Sequence, residues 1–359
     1  MKEKERIIDG DYFDYLEWRG DLSFENSPFC EVDALILCQL SYIKLNDIVA
    51  SDFNFANAKT LAECFEVYDK LPAKDYRKDL GVLINPDTKK LFESCASSGR
   101  FASLKLCGFN DSYDLNKEEQ FCALTFVCEE NKIVFVAFRG TDDTIVGWKE
   151  DFNLAFMDSI PAQKDSCIYL KSVLDRAEFE DYKIYAGGHS KGGNLAIYSC
   201  ANNDTGRICK VFNFDGPGFS KKDLKSERFI NIKDRVVSVF PQTSMVGMLF
   251  HHFDNYEVVK SSETLLLQHD PFSWHLKAKN FSTLKKLDEG SEIFFKSFNR
   301  WFEKLSEEQR REFVETLFGV LFASKAKTNS ELAENGLKSA GRIIKAFASL
   351  ESEKREAYL

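Results

Sequence analysis

Lys183-Ile184-Tyr185-Ala186-Gly187-Gly188-His189-Ser190-Lys191-Gly192-Gly193-Asn194-Leu195-Ala196 is the stretch on which the reading of this chain turns. Residues 183–186 read as a short strand and 194–201 as a helix, and between them Gly188, Ser190 and Gly192 form a G-x-S-x-G pattern. A strand that turns directly into a helix forces its central residue into strained backbone angles. Small residues two before and two after it avoid the resulting clash. The turn presents the Ser190 hydroxyl at the C-terminal edge of a sheet, beside a helix N-terminus. There the helix dipole and the Lys191 N–H favour negative charge. Ser190 is therefore the candidate nucleophile; the bland alternative is a glycine-rich turn with an inert serine.

The surrounding pattern supports that placement. Residues 121–128 read as a strand, and Ile133–Phe138 is an unbroken apolar run, as expected for a strand buried on both faces. A helix is expected over 167–179, and strands over 209–214, 235–240 and Tyr256–Val259. Strands alternating with helices predict an α/β fold, a mostly parallel sheet flanked by helices. Upstream, 31–44 and 60–71 have helical spacing. The aromatic residues Tyr12, Phe13, Tyr15, Trp18, Phe24 and Phe29 predict that the N-terminal segment packs on the body. Beyond about residue 285 only helical patterns remain, with capping boxes at Ser306/Gln309 and Thr328/Glu331. The expected organisation is one domain over 1–285 and a C-terminal helical extension over 286–359, packed on the body or serving a partner.

Composition narrows the function. Of 359 residues, 48 are Lys or Arg and 57 are Asp or Glu, a formal charge of -9. That argues against nucleic acid as a partner, because phosphate-backbone binding needs a basic face. No run of Lys or Arg exceeds two, so a polybasic membrane patch is not expected. No apolar run approaches a transmembrane span, and the charged N-terminus lacks the apolar stretch of a signal peptide. Ten scattered cysteines without CxxC spacing suggest free thiols in a reducing, cytoplasmic setting and give no zinc pattern.

Phe138-Arg139-Gly140-Thr141 ends the buried strand, and Thr141 can offer its N–H and hydroxyl to an oxyanion. Together with Gly147-Trp148-Lys149-Glu150-Asp151-Phe152 and the G-x-S-x-G turn, it resembles the class 3 lipase pattern within the α/β-hydrolases. A bacterial lipase-like family of unknown function is the nearer resemblance. It is carried by Tyr15-Leu16-Glu17-Trp18-Arg19-Gly20-Asp21-Leu22-Ser23-Phe24, by Phe214-Asp215-Gly216-Pro217-Gly218-Phe219 and by Gln268-His269-Asp270-Pro271-Phe272-Ser273-Trp274. The resemblance spans roughly residues 10–280. It implies an α/β-hydrolase fold and a serine esterase or lipase-like activity. Class 3 lipases usually carry an apolar residue where this chain has Lys191.

A serine hydrolase needs a base and an acid that orients it, in the chain order Ser, Asp or Glu, His. Of the five histidines, His189 adjoins the nucleophile and is expected to be structural. His251 and His252 lie in an amphipathic stretch and read as surface or packing residues. His269, in a loop beside Asp270 and Pro271, is the favoured base. His275, at what looks like a helix start after Trp274, is the rival. The resemblance to class 3 lipases, with an Asp shortly before an apolar stretch and a Pro, implies Asp234 as the acid; Asp215 is the alternative, with an expected role as ion-pair partner of Lys191. Lys191 and Thr141 are the expected oxyanion donors. Met245, Met248 and Leu249 are a candidate substrate wall, or else part of a buried helix. Trp148 and Asp151 read as scaffold. The expectation is a serine hydrolase cleaving an ester or thioester of a small or lipid-like molecule, without metal or organic cofactor. The rival is a binding protein that keeps the fold without catalysis; a peptidase is a third possibility that nothing in the sequence marks.

Overall fold

The computed structural model describes residues 9–322, apart from 56–57, 82–83, 143 and 204. Four helices come first: α1 (Tyr12–Arg19), α2 (Glu31–Leu40), α3 (Leu61–Asp69) and α4 (Thr88–Ala96). Then follow β1 (Lys105–Asp114), β2 (Glu119–Cys128), β3 (Ile133–Phe138), α5 (Ile145–Asn153), α6 (Pro161–Leu174), β4 (Lys183–His189) and α7 (Lys191–Asn202). The second half has β5 (Ile208–Phe214), α8 (Lys221–Leu224), α9 (Glu227–Ile232), β6 (Val236–Pro241) and β7 (Tyr256–Val259). It closes with the short strands β8 (Leu276–Lys277), β9 (Asn280–Phe281) and β10 (Thr283–Leu284), then α10 (Glu289–Lys304) and α11 (Glu307–Phe322).

Eight strands form one sheet in the order β1-β2-β3-β4-β5-β6-β7-β10. Pairs from β3 through β7 are parallel, and β1, β2 and β10 add antiparallel edges. The expected α/β class, a mostly parallel sheet flanked by helices, is what the chain adopts. All six residues of β3 are buried, as its apolar run predicts. Phe135 and Ala137 join the core shared with α1–α4; Val134, Val136 and Phe138 join the core shared with α6, α7 and α9. Period-two alternation thus feeds two separate cores from one strand.

The N-terminal segment docks through a buried ion pair. Arg100 donates to Asp33 at 2.5 and 2.7 Å, and the Tyr15 hydroxyl donates to Asp33 at 2.7 Å. Tyr12, Tyr15 and Phe24 are buried as expected, but Trp18 is exposed and stacks with Arg19. The helix expected over 167–179 starts earlier, at Pro161, whose fixed φ suits a first helical turn, and stops at Leu174. The Ser306/Gln309 capping box forms, with Ser306 N–H to Gln309 at 2.8 Å and the return bond at 3.1 Å. Val314 and Phe318 of α11 pack on Ile145, Ala155 and Phe156. The second expected box, Thr328/Glu331, lies outside the described residues. Among the described residues no helix is long and apolar enough to cross a membrane.

Candidate active site

Parallel register brings three strand ends to one edge. Phe138 pairs with Gly188, and His189 with Phe214, so residues 139–141, Ser190 and Asp215 all emerge together. Ser190 has φ 58 and ψ -135, a strained conformation for a residue with a side chain. Its N–H is held by the Phe214 carbonyl at 2.9 Å. A Cβ on Gly188 would sit 2.1 Å from the Gly192 carbonyl carbon, and one on Gly192 would sit 2.0 Å from the Phe138 oxygen. The two glycines of the motif are thus required by contact. Ser190 is 8% exposed. Lys191 opens α7, where its N–H has no intrahelical acceptor and faces the same edge.

His269 lies in the tight turn Leu265–His269 after β7. Its Nδ1 is 2.7 Å from Asp215 Oδ2. Asp215 is buried, with φ 51 and its N–H bonded to the Val239 carbonyl at 2.9 Å. Its other oxygen accepts from the Ser244 hydroxyl, and the Gly247 backbone packs against it. Burial raises the Asp215 carboxyl above its ordinary value, and the bonds from His269 and Ser244 oppose that rise. Among the described residues no hydrogen bond joins Ser190 Oγ to the ring.

Asp234 is not part of this group, which corrects the expected acid. It is exposed in the turn before β6. Val236 pairs with Val211, so Asp234 stands at the opposite end of the strands. Four strand residues at about 3.3 Å each and two in the preceding turn put it on the order of 15 Å or more from Asp215 along the strand direction. The expected Lys191–Asp215 ion pair is also absent. Lys191 Nζ, fully buried, donates to Glu150 at 2.8 Å and to the Gln120 carbonyl and amide oxygens at 2.8 and 2.9 Å, with Asp151 at 3.8 Å. Burial opposes its charge, yet Glu150 and Asp151 hold its pKa above the ordinary value.

The Thr141 hydroxyl donates to Asp151, leaving its backbone N–H for an incoming group. Burial pushes the Asp151 carboxyl up to about 6, with Lys191 and Thr141 pulling the other way. Met245, Met248 and Leu249 are half-buried in a turn, with no helix. Met248 packs on Phe240, Val258 and Leu287, and the Leu249 carbonyl accepts from Gly218 at 2.9 Å. Asn299 of α10 fastens this turn to the extension through Met248 and Phe250. His275 faces Asp9, His251 bonds Glu303 at 2.6 Å, and His252 packs edge-on against Phe240. His275 opens no helix; it precedes β8.

Sequence reasoning missed Tyr42, Glu150, Ser244 and Gly247 and assigned Asp151 to scaffold. A carboxylate partner for Lys191 was foreseeable from its charge. Its identity was not, because Glu150 comes from a helix 41 residues upstream.

A nucleophile-type turn after the fourth strand, with a carboxylate after the fifth and a histidine in a later loop, defines an α/β-hydrolase-like architecture. The chain belongs to the Mbeg1-like family, whose model matches residues 95–319. The match starts after the N-terminal segment quoted for the resemblance and reaches into the helical extension, which that resemblance did not cover. Among solved structures, the lipase of Rhizopus microsporus var. chinensis is 13% identical, covering 79% of this chain and 84% of its own, with a TM-score of 0.41. The Rhizomucor miehei lipase in its propeptide complex is 16% identical, covering 58% and 67%, with a TM-score of 0.36. The Lip2 lipase of Yarrowia lipolytica is 18% identical, covering 54% and 76%, with a TM-score of 0.33. No residue role is carried over from any of them. No curated protein matches the sequence.

Proposed function

We propose that the protein is a serine hydrolase of the esterase or lipase type, acting on a carboxylic ester or thioester. The observation that carries this reading is the 2.7 Å bond between His269 Nδ1 and buried Asp215, at the sheet edge where Ser190 is strained outward. Ser190 Oγ attacks the carbonyl carbon while His269 Nε2 takes its proton. Asp215 stays ionised, fixes the tautomer with Nδ1–H, and stabilises the imidazolium. The backbone N–H groups of Lys191 and Thr141 receive the oxyanion. Collapse breaks the carbonyl–oxygen or carbonyl–sulfur bond, and the leaving alcohol or thiol takes the proton from His269. Water, deprotonated by His269, then attacks the acyl-enzyme and restores Ser190. The half-buried apolar turn at Met245, Met248 and Leu249 favours an apolar acyl side.

A panel of p-nitrophenyl esters from short to long acyl chains tests the reading. Hydrolysis is expected for the wild type and is lost in a folded Ser190→Ala variant, by roughly 10⁶-fold if the precedent of serine hydrolases holds. Equal rates in both would leave the fold serving a binding role.

A further inference from the structure

His189 precedes the nucleophile and is buried, and its two nitrogens have unambiguous partners. Nε2 lies 2.7 Å from the backbone carbonyl of His269. A carbonyl only accepts, so Nε2 carries the hydrogen. In a neutral ring Nδ1 is then an acceptor, and the Tyr42 hydroxyl at 3.1 Å must donate to it. The Tyr42 oxygen packs against the backbone of Gly140. It presses into the oxyanion turn: a Cβ on Gly140 would meet it at 2.3 Å and the Ser190 Cβ at 3.0 Å. The His189 ring also lies against the His269 ring, centroids 4.5 Å apart and planes at 36°. The hydrogen bonds therefore run one way, Tyr42 O–H to His189 to the His269 carbonyl, with the Tyr42 oxygen seated against Gly140.

We infer that Tyr42 and His189 are positioning residues that clamp the base-bearing turn of His269 to the oxyanion turn at Gly140–Thr141. The inference rests on the hydrolase reading and adds to it how His269 is held while its ring exchanges protons. Asp215 fixes the ring through Nδ1; the clamp fixes the backbone from which the ring hangs. The polarity requires a neutral His189. Burial, then the neighbouring His269, keeps its pKa well below the ordinary value, and burial keeps the Tyr42 hydroxyl protonated. The titratable groups that bear on His269 are Asp215 and His189 in contact and Asp151 and Asp270 by charge.

The test measures kcat, KM and their pH dependence for ester hydrolysis by the wild type, Tyr42→Phe, His189→Leu and His189→Gln. A second measurement records the ring nitrogens of wild-type His189 by NMR across pH. The wild-type ring is expected to stay neutral, with the proton on Nε2. His189→Leu should lower kcat about 100-fold with little change in KM, as for a reacting group displaced by about 1 Å. Tyr42→Phe should lower it roughly two- to tenfold, the loss of one hydrogen bond. His189→Gln should recover most of the rate, since its amide offers both an N–H and an oxygen. The apparent pKa of the kcat profile should move in the Leu and Phe variants and return in Gln. Folded Leu and Phe variants with wild-type kcat and pH profile overturn the clamp, as does a His189 ring that titrates or carries its proton on Nδ1. Wild-type protein with no Ser190-dependent hydrolysis instead removes the hydrolase reading, and the clamp's catalytic role with it.

Discussion

Asp215 and Asp234 are chemically identical and differ in which end of a parallel strand they occupy. Asp215 follows β5, where the sheet delivers its side chain beside His269; Asp234 precedes β6 and faces solvent. Asp215→Asn should lower kcat by roughly 10⁴-fold, the cost of offering the ring the wrong partner. Asp234→Asn should leave ester hydrolysis unchanged. Loss of activity in the second variant and not the first would reverse the assignment. Asp151 makes a prediction of opposite flavour, about stability. Its carboxyl, ordinarily near 3.8, is pushed up to about 6 by burial. The folded protein holds that proton more tightly than the unfolded chain. The stabilisation is therefore full below the unfolded value and lost as pH rises through about 6. Asp151→Asn keeps an acceptor for the Thr141 hydroxyl and no longer ionises. Relative to the wild type, the variant should gain stability between about pH 4 and pH 7, by up to about 3 kcal/mol. Denaturant midpoints at both pH values check this, and a difference that does not change with pH contradicts it.

Helix α5 is anchored at the site by buried charges. Glu150 binds Lys191 of α7 and also accepts from the Gln120 and Ala162 N–H groups at 3.1 and 2.9 Å. Lys149 binds Glu118 at 2.6 Å and Glu315 of α11 at 3.0 Å, and Phe152 meets Phe318 edge-on at 5.4 Å. The Lys191 side chain is thus a strut joining α5, α7 and β2. Lys191→Met leaves Glu150 as a buried carboxylate without its cation and should destabilise the fold by about 3–5 kcal/mol. Lys191→Met with Glu150→Gln should restore much of that loss, because no unpaired charge remains. Thermal midpoints decide it: a single variant as stable as the wild type would mean that the pair contributes little. Sequence periodicity anticipated strands β3 and β7, since Ile133–Phe138 and Tyr256–Val259 form with the expected bounds. It did not anticipate α5, whose Lys149, Glu150 and Asn153 are buried polar residues that blur the helical apolar stripe.

At the scale of the whole molecule, the fold class was legible because the buried parallel strands read as apolar runs and the G-x-S-x-G turn marks one sheet edge. The edge strand β1 was not, because its second half, Asn110–Asp114, is mostly polar, contains no buried residue and lacks the alternation of a half-buried strand. The strained turn at Ser190 and the need for a later histidine at the same sheet edge, where His269 lies against Asp215, were legible from motif context. The partner of His269 was misread: the expected strands 209–214 and 235–240 already put Asp215 after one strand and Asp234 before the next, and parallel pairing sends those two positions to opposite edges. The N-terminal helices were expected to pack and do so through Arg100 and Asp33, 67 residues apart, a pairing that spacing does not reveal. All of these elements serve one claim, that Ser190 is an activated nucleophile. Incubation with a fluorophosphonate, followed by intact-mass measurement and peptide mapping, addresses that claim most directly. A single phosphonyl adduct on Ser190 is expected in the wild type, greatly slowed adduct formation in His269→Ala, and none in Ser190→Ala. An unlabelled wild type, or an adduct that persists in Ser190→Ala, would contradict it.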